Sequence, residues 1–75
     1  MKYYRNLSWV SSVFAYEIGQ DSISVEYDSG ARYLYTFASA GRNNIETMKA
    51  LALRGEGLRS FIRKQVEGKH ARVED

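Results

Sequence analysis

The stretch "ISVEYDSGARYLYTF", residues 23–37, decides the fold of this 75-residue chain, because two alternating runs flank a short turn. Apolar and polar residues alternate strictly over 23–27, which is typical of a half-buried strand. Aromatic residues then occupy every second position from Tyr33 to Phe37, so they share one face of a second strand. Together with the turn at 28–30, the stretch predicts an antiparallel hairpin.

Two registers of this hairpin place the aromatic row on opposite faces. With a three-residue loop that ends in a left-handed Gly30, Val25 lies opposite Tyr33 and Glu26 lies opposite Arg32. Such an opposite-charge pair contributes roughly 0.2–1 kcal/mol. With a two-residue loop, Glu26 lies opposite Tyr33 and the ion pair cannot form. We favour the first register, which makes the row part of the core rather than an exposed platform for stacking bases.

The elements on either side follow from periodicity. Residues 11–18 suit a first strand, with Phe14, Tyr16 and Ile18 on one face. After Phe37, which we place at the end of the third strand, apolar residues recur at helical spacing. A first helix is expected to begin at Asn43, where the spacing to Glu46 resembles a capping box, and to end before Gly55. A second helix is expected over 58–67.

These elements predict an α+β domain: a three-stranded antiparallel β-meander followed by two short helices packed on one face. We expect one domain over 1–75, with a core over about 8–67 and a frayed tail over 69–75. The predicted core aromatics are Tyr16, Tyr27, Tyr33, Tyr35, Phe37 and Phe61.

Composition narrows the class of protein. The chain has no cysteine, which excludes disulfides and thiolate metal sites. No apolar run approaches the roughly 20 residues that span a bilayer, and the N-terminus lacks the apolar stretch of a signal peptide. We therefore expect a soluble, cytoplasmic protein with no membrane partner.

Part of the chain resembles the KTSC family, a short domain found at the C-terminus of some lysyl-tRNA synthetases and in stand-alone bacterial proteins. The resemblance covers most of residues 8–63. Gly57 and Arg59 depart from the family pattern, as does the lack of a proline before the first helix. The resemblance implies the α+β fold, a bacterial source, and RNA binding as suggested by the attachment to a tRNA enzyme. It rests on Tyr16, Ile23, Val25, Tyr27, Ser29, Gly30, Tyr33 and Tyr35, and on the closing residues Gly55, Leu58, Ile62 and Arg63.

Catalysis is not indicated by any pattern of residues. The single histidine, His70, lies in the expected tail, and no serine has a base beside it. The carboxylates fall at turns and strand ends, and no loop has the spacing of a metal site. We expect no enzyme activity, no cofactor, no metal and no small-molecule substrate.

Positive charge is concentrated in the C-terminal part, where residues 42–75 carry eight basic and five acidic groups. Basic residues on a helix face can neutralise phosphates, and exposed aromatics beside them can stack on bases. Single-stranded or structured RNA is then favoured over duplex DNA, because no helix suited to the major groove is evident. The candidate phosphate-binding residues are Arg54, Arg59, Arg63, Lys64, Lys69 and Arg72, and the candidate stacking residues are Tyr3, Tyr4 and Trp9.

Two alternatives remain open. A solvated basic face of this kind is also routine on the helices of small proteins. The aromatic residues near the N-terminus can cover a sheet edge, or can contact another protein or a second copy of the chain. The sequence therefore predicts a small non-catalytic binding module, for RNA or alternatively for protein.

Overall fold

The computed structural model describes residues 2–5 and 13–74. Trp9 and the first two residues of the predicted 11–18 strand lie outside the described residues. In chain order the elements are β1 (Lys2–Tyr3), β2 (Val13–Ile18), β3 (Ser22–Tyr27), β4 (Arg32–Thr36), α1 (Phe37–Ala40), α2 (Arg42–Arg54), α3 (Leu58–Phe61), a π-helical segment (Ile62–Val66) and β5 (Arg72–Val73).

The described strands form one antiparallel sheet in the order β1-β2-β3-β4-β5, which is also their order along the chain. The expected three-stranded meander is present as β2–β4, and a two-residue strand extends it on each side. β5 lies in the segment that is predicted to be frayed. It is held by backbone hydrogen bonds of 2.6 Å from Ala71 N to Leu34 O and from Glu74 N to Arg32 O. The tail prediction is therefore wrong at these residues.

The register of the β3–β4 hairpin is confirmed. Val25 pairs with Tyr33, and Glu26 pairs with Arg32, whose side chains form an ion pair at 3.3 Å. The three-residue loop is closed by a 2.8 Å hydrogen bond from Tyr27 N to Ala31 O. Gly30 has φ +94°, a conformation that costs glycine little because it has no Cβ.

The face assignment of β2 is wrong at Phe14 because the strand contains a β-bulge. Val13 pairs with Tyr27 and Ala15 pairs with Glu26, so Phe14 is an extra residue between consecutive partners. The extra residue inverts the alternation. Val13 and Tyr16 consequently face the core, while Phe14 is 47% exposed.

The third strand of the meander, β4, ends one residue earlier than predicted, and Phe37 is the first residue of α1. Thr36 is the N-cap: its hydroxyl accepts a hydrogen bond from Ser39 N, and the Ser39 hydroxyl in turn accepts one from Thr36 N. This reciprocal capping box satisfies backbone donors at the start of the helix. The predicted cap at Asn43 is absent, because α2 begins at Arg42 and its N-cap, Gly41, makes no side-chain capping bond.

The helical half packs against the sheet and completes the core. Ile23, Val25 and Tyr35 from the sheet are at most 1% exposed. The helical residues of the core recur at the spacing that predicts an apolar face. From α2 onward they are Ile45, Met48 and Ala52 from α2, Leu58 from α3, and Ile62 and Val66 from the π-helical segment, and α1 contributes Ala40.

Two of the six predicted core aromatics, Tyr16 and Tyr35, are buried. The other four are half-buried and pack against the core: Tyr27, Tyr33, Phe37 and Phe61. Among the described residues, no helix has the length and apolar character that crossing a bilayer requires.

Candidate functional site

A cleft of about 440 Å³ opens between the β3–β4 hairpin and the C-terminal helical residues. Its volume falls in the range of small-ligand pockets, about 300–1,000 Å³. We call it the aromatic cleft and define it by the six residues that give it its chemical character: Tyr27, Tyr33, Tyr35, Arg59, Glu67 and His70.

The rings of the aromatic cleft form a continuous series of contacts in space. Tyr27 and Tyr33 meet edge to face, with centroids 5.5 Å apart. His70 lies over Tyr33 at 4.8 Å with a tilt of 37°, and its edge approaches Tyr35 at 6.2 Å. Aromatic pairs in these geometries contribute about 0.5–1.5 kcal/mol beyond the area that they bury. The arrangement leaves Tyr27 and Tyr33 half-buried, with part of each ring available at the cleft.

His70 is the residue of the cleft that sequence reasoning missed. The sequence places it in a frayed tail, whereas the backbone bonds of Ala71 and Glu74 to β4 carry its ring onto Tyr33. Its Nδ1 atom is buried and has no hydrogen-bond partner among the described residues. A two-residue strand leaves no periodicity to detect, so the sequence offers no signal for this placement.

Arg59 closes the cleft from the helical side. Its guanidinium carbon lies 5.4 Å from the centroid of the Tyr27 ring, within the range of a cation–π interaction. Arg59 belongs to α3, which passes directly into the π-helical segment that carries Arg63 and Lys64. Phe61 and Ile62 at the junction both have helical backbone angles, so the predicted second helix is continuous from Leu58 to Val66.

Arg63 and Lys64 line a second depression together with Ser60 and Glu67. We call it the basic depression. Glu67 lines the aromatic cleft as well, so the two depressions adjoin. The structure therefore separates the predicted basic face into one arginine packed on an aromatic ring and two cations beside it.

Burial raises the pKa of two tyrosines in the cleft, Tyr27 and Tyr35. Desolvation raises the pKa of Tyr27 above its usual value, although a hydrogen bond with Tyr35 and the charge of Arg59 act in the opposite direction. Desolvation, reinforced by the charge and hydrogen bond of Tyr27, raises the pKa of Tyr35 further. Both hydroxyls therefore stay protonated to a higher pH than an exposed tyrosine, and a protonated hydroxyl can donate a hydrogen bond.

The other predicted phosphate-binding residues differ in whether an acidic side chain forms an ion pair with them. Arg54 pairs with Glu56 at 3.1 Å, and Arg72 pairs with Glu74 at 3.2 Å. Their acidic neighbours reduce the positive potential that they offer to a phosphate. Three candidates are exposed and form no ion pair with any residue that the structure describes: Arg63, Lys64 and Lys69.

Tyr3 and Tyr4, the two predicted stacking residues that the structure describes, do not line this site. Tyr4 is 5% exposed, and its hydroxyl accepts a hydrogen bond from Leu58 N, so it is a core residue and the stacking prediction is wrong. Tyr3 is 74% exposed and contacts Phe14 at 5.2 Å. It belongs to β1, at the edge of the sheet opposite β5 and His70.

A third depression, of about 350 Å³, lies on the β1–β2 side of the sheet. It is lined by Ile18 and Leu53, which are 38% and 51% exposed, together with Tyr16, Lys2 and Glu17. Within the described part of the chain, no three His, Asp or Glu side chains converge as metal ligands would.

Comparisons of the chain with protein-family models, with curated proteins and with solved structures return no significant match.

Proposed function

We propose that this protein is a small non-catalytic module that binds single-stranded RNA, with the phosphates held at the basic depression. The observation that carries the proposal is that two chemically different surfaces adjoin. The basic depression, with Arg63 and Lys64, meets the aromatic cleft at Glu67, which lines both. Proteins that bind single strands combine two components: cations along the phosphate backbone and aromatic rings that stack on the bases.

The charge distribution supports the proposal. Arg63, Lys64 and Lys69 are exposed and lie close together in the sequence. Each phosphate that they neutralise releases counterions from the RNA strand. The resemblance to the KTSC family, with its attachment to a tRNA enzyme, points to the same class of ligand. The cytoplasmic location that we expect for the chain is compatible with such a ligand.

A salt series tests the proposal with matched double variants. Arg63→Ala with Lys64→Ala is expected to weaken binding of a fluorescent single-stranded RNA. It should also reduce the slope of log K against log salt by roughly 0.7 for each phosphate that is no longer neutralised. Arg54→Ala with Arg72→Ala removes the same charge from two ion-paired residues, and its effect should be smaller. Equal weakening in the two variants, or no binding at low salt, would refute the proposal.

The alternative function is a protein-binding or self-associating module, and the depression at Ile18 and Leu53 is the observation that favours it. These apolar side chains are exposed beside the short strand β1, and exposed apolar patches often contact partners. Sedimentation velocity of the wild type and of Leu53→Ser distinguishes the self-associating form. A concentration-dependent dimer that the variant abolishes supports it, and a monomer at all concentrations rules it out.

A further inference from the structure

We propose that the aromatic cleft holds one unpaired nucleobase of the bound strand, and that it selects a base with an exocyclic amino group. This inference rests on the proposed function and adds a base preference to it. A strand held by its phosphates alone would show no such preference, because phosphate contacts carry no sequence information.

The aromatic lining of the cleft suits a flat ring. Tyr27, Tyr33, Tyr35 and His70 all line it, and His70 lies over Tyr33, so aromatic rings form part of its walls. The planar guanidinium of Arg59 lies at 5.4 Å over the Tyr27 ring and can itself stack on an aromatic ligand. Stacking on such side chains contributes to binding with every base. It provides affinity, and the choice of base must come from the polar groups.

The polar groups favour a ligand with hydrogen-bond donors and no negative charge at this point. Asp28 and Glu67 both line the cleft, and neither forms an ion pair among the residues that the structure describes. Carboxylates accept hydrogen bonds from an amino group, as in the pairing of Glu or Asp with cytosine N4. The phosphate of the same nucleotide has a place next to the cleft, beside Arg63 and Lys64 in the basic depression.

Cytosine and uracil form the sharpest test, because the two pyrimidines have the same size and differ at the group that meets the carboxylates. Binding of oligocytidine and oligouridine of about ten nucleotides, a length within the usual site size, is measured by fluorescence anisotropy at one low salt concentration. We expect the cytidine strand to bind about tenfold more tightly, the discrimination expected of one good hydrogen-bonded base contact.

Two variants assign the preference to the cleft. Glu67→Gln should reduce the cytidine preference towards unity, since an amide is a poorer acceptor than a carboxylate; Asp28→Asn is the second variant if the first does not fold. Arg63→Ala with Lys64→Ala should weaken both strands equally and leave the preference intact. His70 is the only histidine of the sequence, so its ring protons give a single NMR probe. Their chemical shifts should change when oligocytidine binds.

The outcomes separate the two proposals. Salt-dependent binding with equal affinity for both strands, or a cytidine preference that survives both carboxylate variants, overturns this inference and leaves the proposed function standing. Failure of either strand to bind overturns the proposed function. Cytidine monophosphate that binds as tightly as the oligomer overturns the assignment to a strand, because it identifies a site for free nucleotides.

Discussion

The hydroxyl of Tyr4 accepts a hydrogen bond of 3.2 Å from the backbone N–H of Leu58, a residue 54 positions away. Leu58 is the first residue of α3, and its preceding N-cap, Gly57, has no side chain to satisfy the free donors of the first turn. The buried tyrosine takes the place of that cap. The N-terminal segment is thereby attached to the C-terminal helical residues through the core.

Replacement of Tyr4 by Phe tests this attachment. The variant keeps the ring in the core and leaves the Leu58 donor buried and unpaired, which should lower the free energy of unfolding by about 1–3 kcal/mol. Urea denaturation followed by circular dichroism measures the change. Tyr3→Phe is the matched control, since Tyr3 is largely exposed, and it should be nearly neutral. Equal effects in the two variants would contradict the capping role.

Gly55, the residue just past α2, is expected to tolerate no side chain. It has φ +89°, and a Cβ there would lie 2.7 Å from Arg5 Cβ. Gly68 has a similar φ of +79° with nothing within 4 Å of a Cβ. Both alanine variants incur the left-handed backbone cost, roughly 1–2 kcal/mol. Only Gly55→Ala has the clash in addition, so its thermal midpoint should fall clearly below that of Gly68→Ala; coincident midpoints would exclude the close approach.

His70 should be replaceable by phenylalanine but not by alanine. Its Nδ1 atom is buried without a partner among the described residues, and a buried polar group without a hydrogen bond costs roughly 1–3 kcal/mol by protein mutational data. His70→Phe keeps a ring packed on Tyr33 and Tyr35 and removes that atom, so stability should be unchanged or higher. His70→Ala removes the ring altogether and should be destabilised. Denaturation midpoints that rank alanine at or above phenylalanine would show that packing on Tyr33 contributes nothing.

Stability should decline at alkaline pH because of the buried tyrosines. Burial raises the pKa of Tyr35, of Tyr27 and of Tyr4 in the folded protein, whereas a tyrosine in the unfolded chain ionises near pH 10. Above that pH the unfolded state binds fewer protons than the folded state, so the free energy of unfolding falls as the pH rises. Well below about pH 10 these groups contribute no dependence on pH, because they are protonated in both states.

The slope can be assigned to one residue. Each tyrosine that ionises only on unfolding adds up to roughly 1.4 kcal/mol per pH unit. Tyr35→Phe should therefore show a shallower decline than the wild type over about one pH unit above the ordinary tyrosine pKa of about 10. The comparison of slopes cancels the contribution of lysines common to both proteins. Parallel slopes would mean that Tyr35 titrates normally in the folded state.

The part of the fold that could be predicted is the part fixed by local chemistry. Glu26, Arg32 and Gly30 are sufficient to choose the hairpin register, because a slip of one residue breaks an ion pair and turns apolar side chains outward. The apolar spacing from Ile45 to Val66 likewise predicts which helical residues enter the core. These signals depend on neighbours within a few residues or directly across one turn.

Most of the errors arise where a long-range contact overrides the local pattern. A bulge at Phe14 inverts the alternation of β2, and whether a strand bulges depends on its partner. Tyr4 is drawn into the core by Leu58, and His70 is placed by a two-residue strand. The end of β4 is the exception, because its signal is local: Thr36 and Ser39 form a capping box, but the aromatic alternation reaches Phe37 and suggests that the strand continues. The aromatic cleft needs His70 from the far end of the chain, which explains why the sequence indicates the cations beside the cleft but not the cleft itself.

The order of the elements has a consequence for synthesis of the chain. The three long strands are complete by Thr36, whereas the residues that cover their apolar face follow it, from Ile45 to Val66. A ribosome makes the chain from its N-terminus, so Ile23, Val25 and Tyr35 emerge well before their covering partners. Until the last helical residues leave the exit tunnel, the nascent sheet presents an uncovered apolar surface, the kind of transient exposure that makes incomplete chains prone to aggregate.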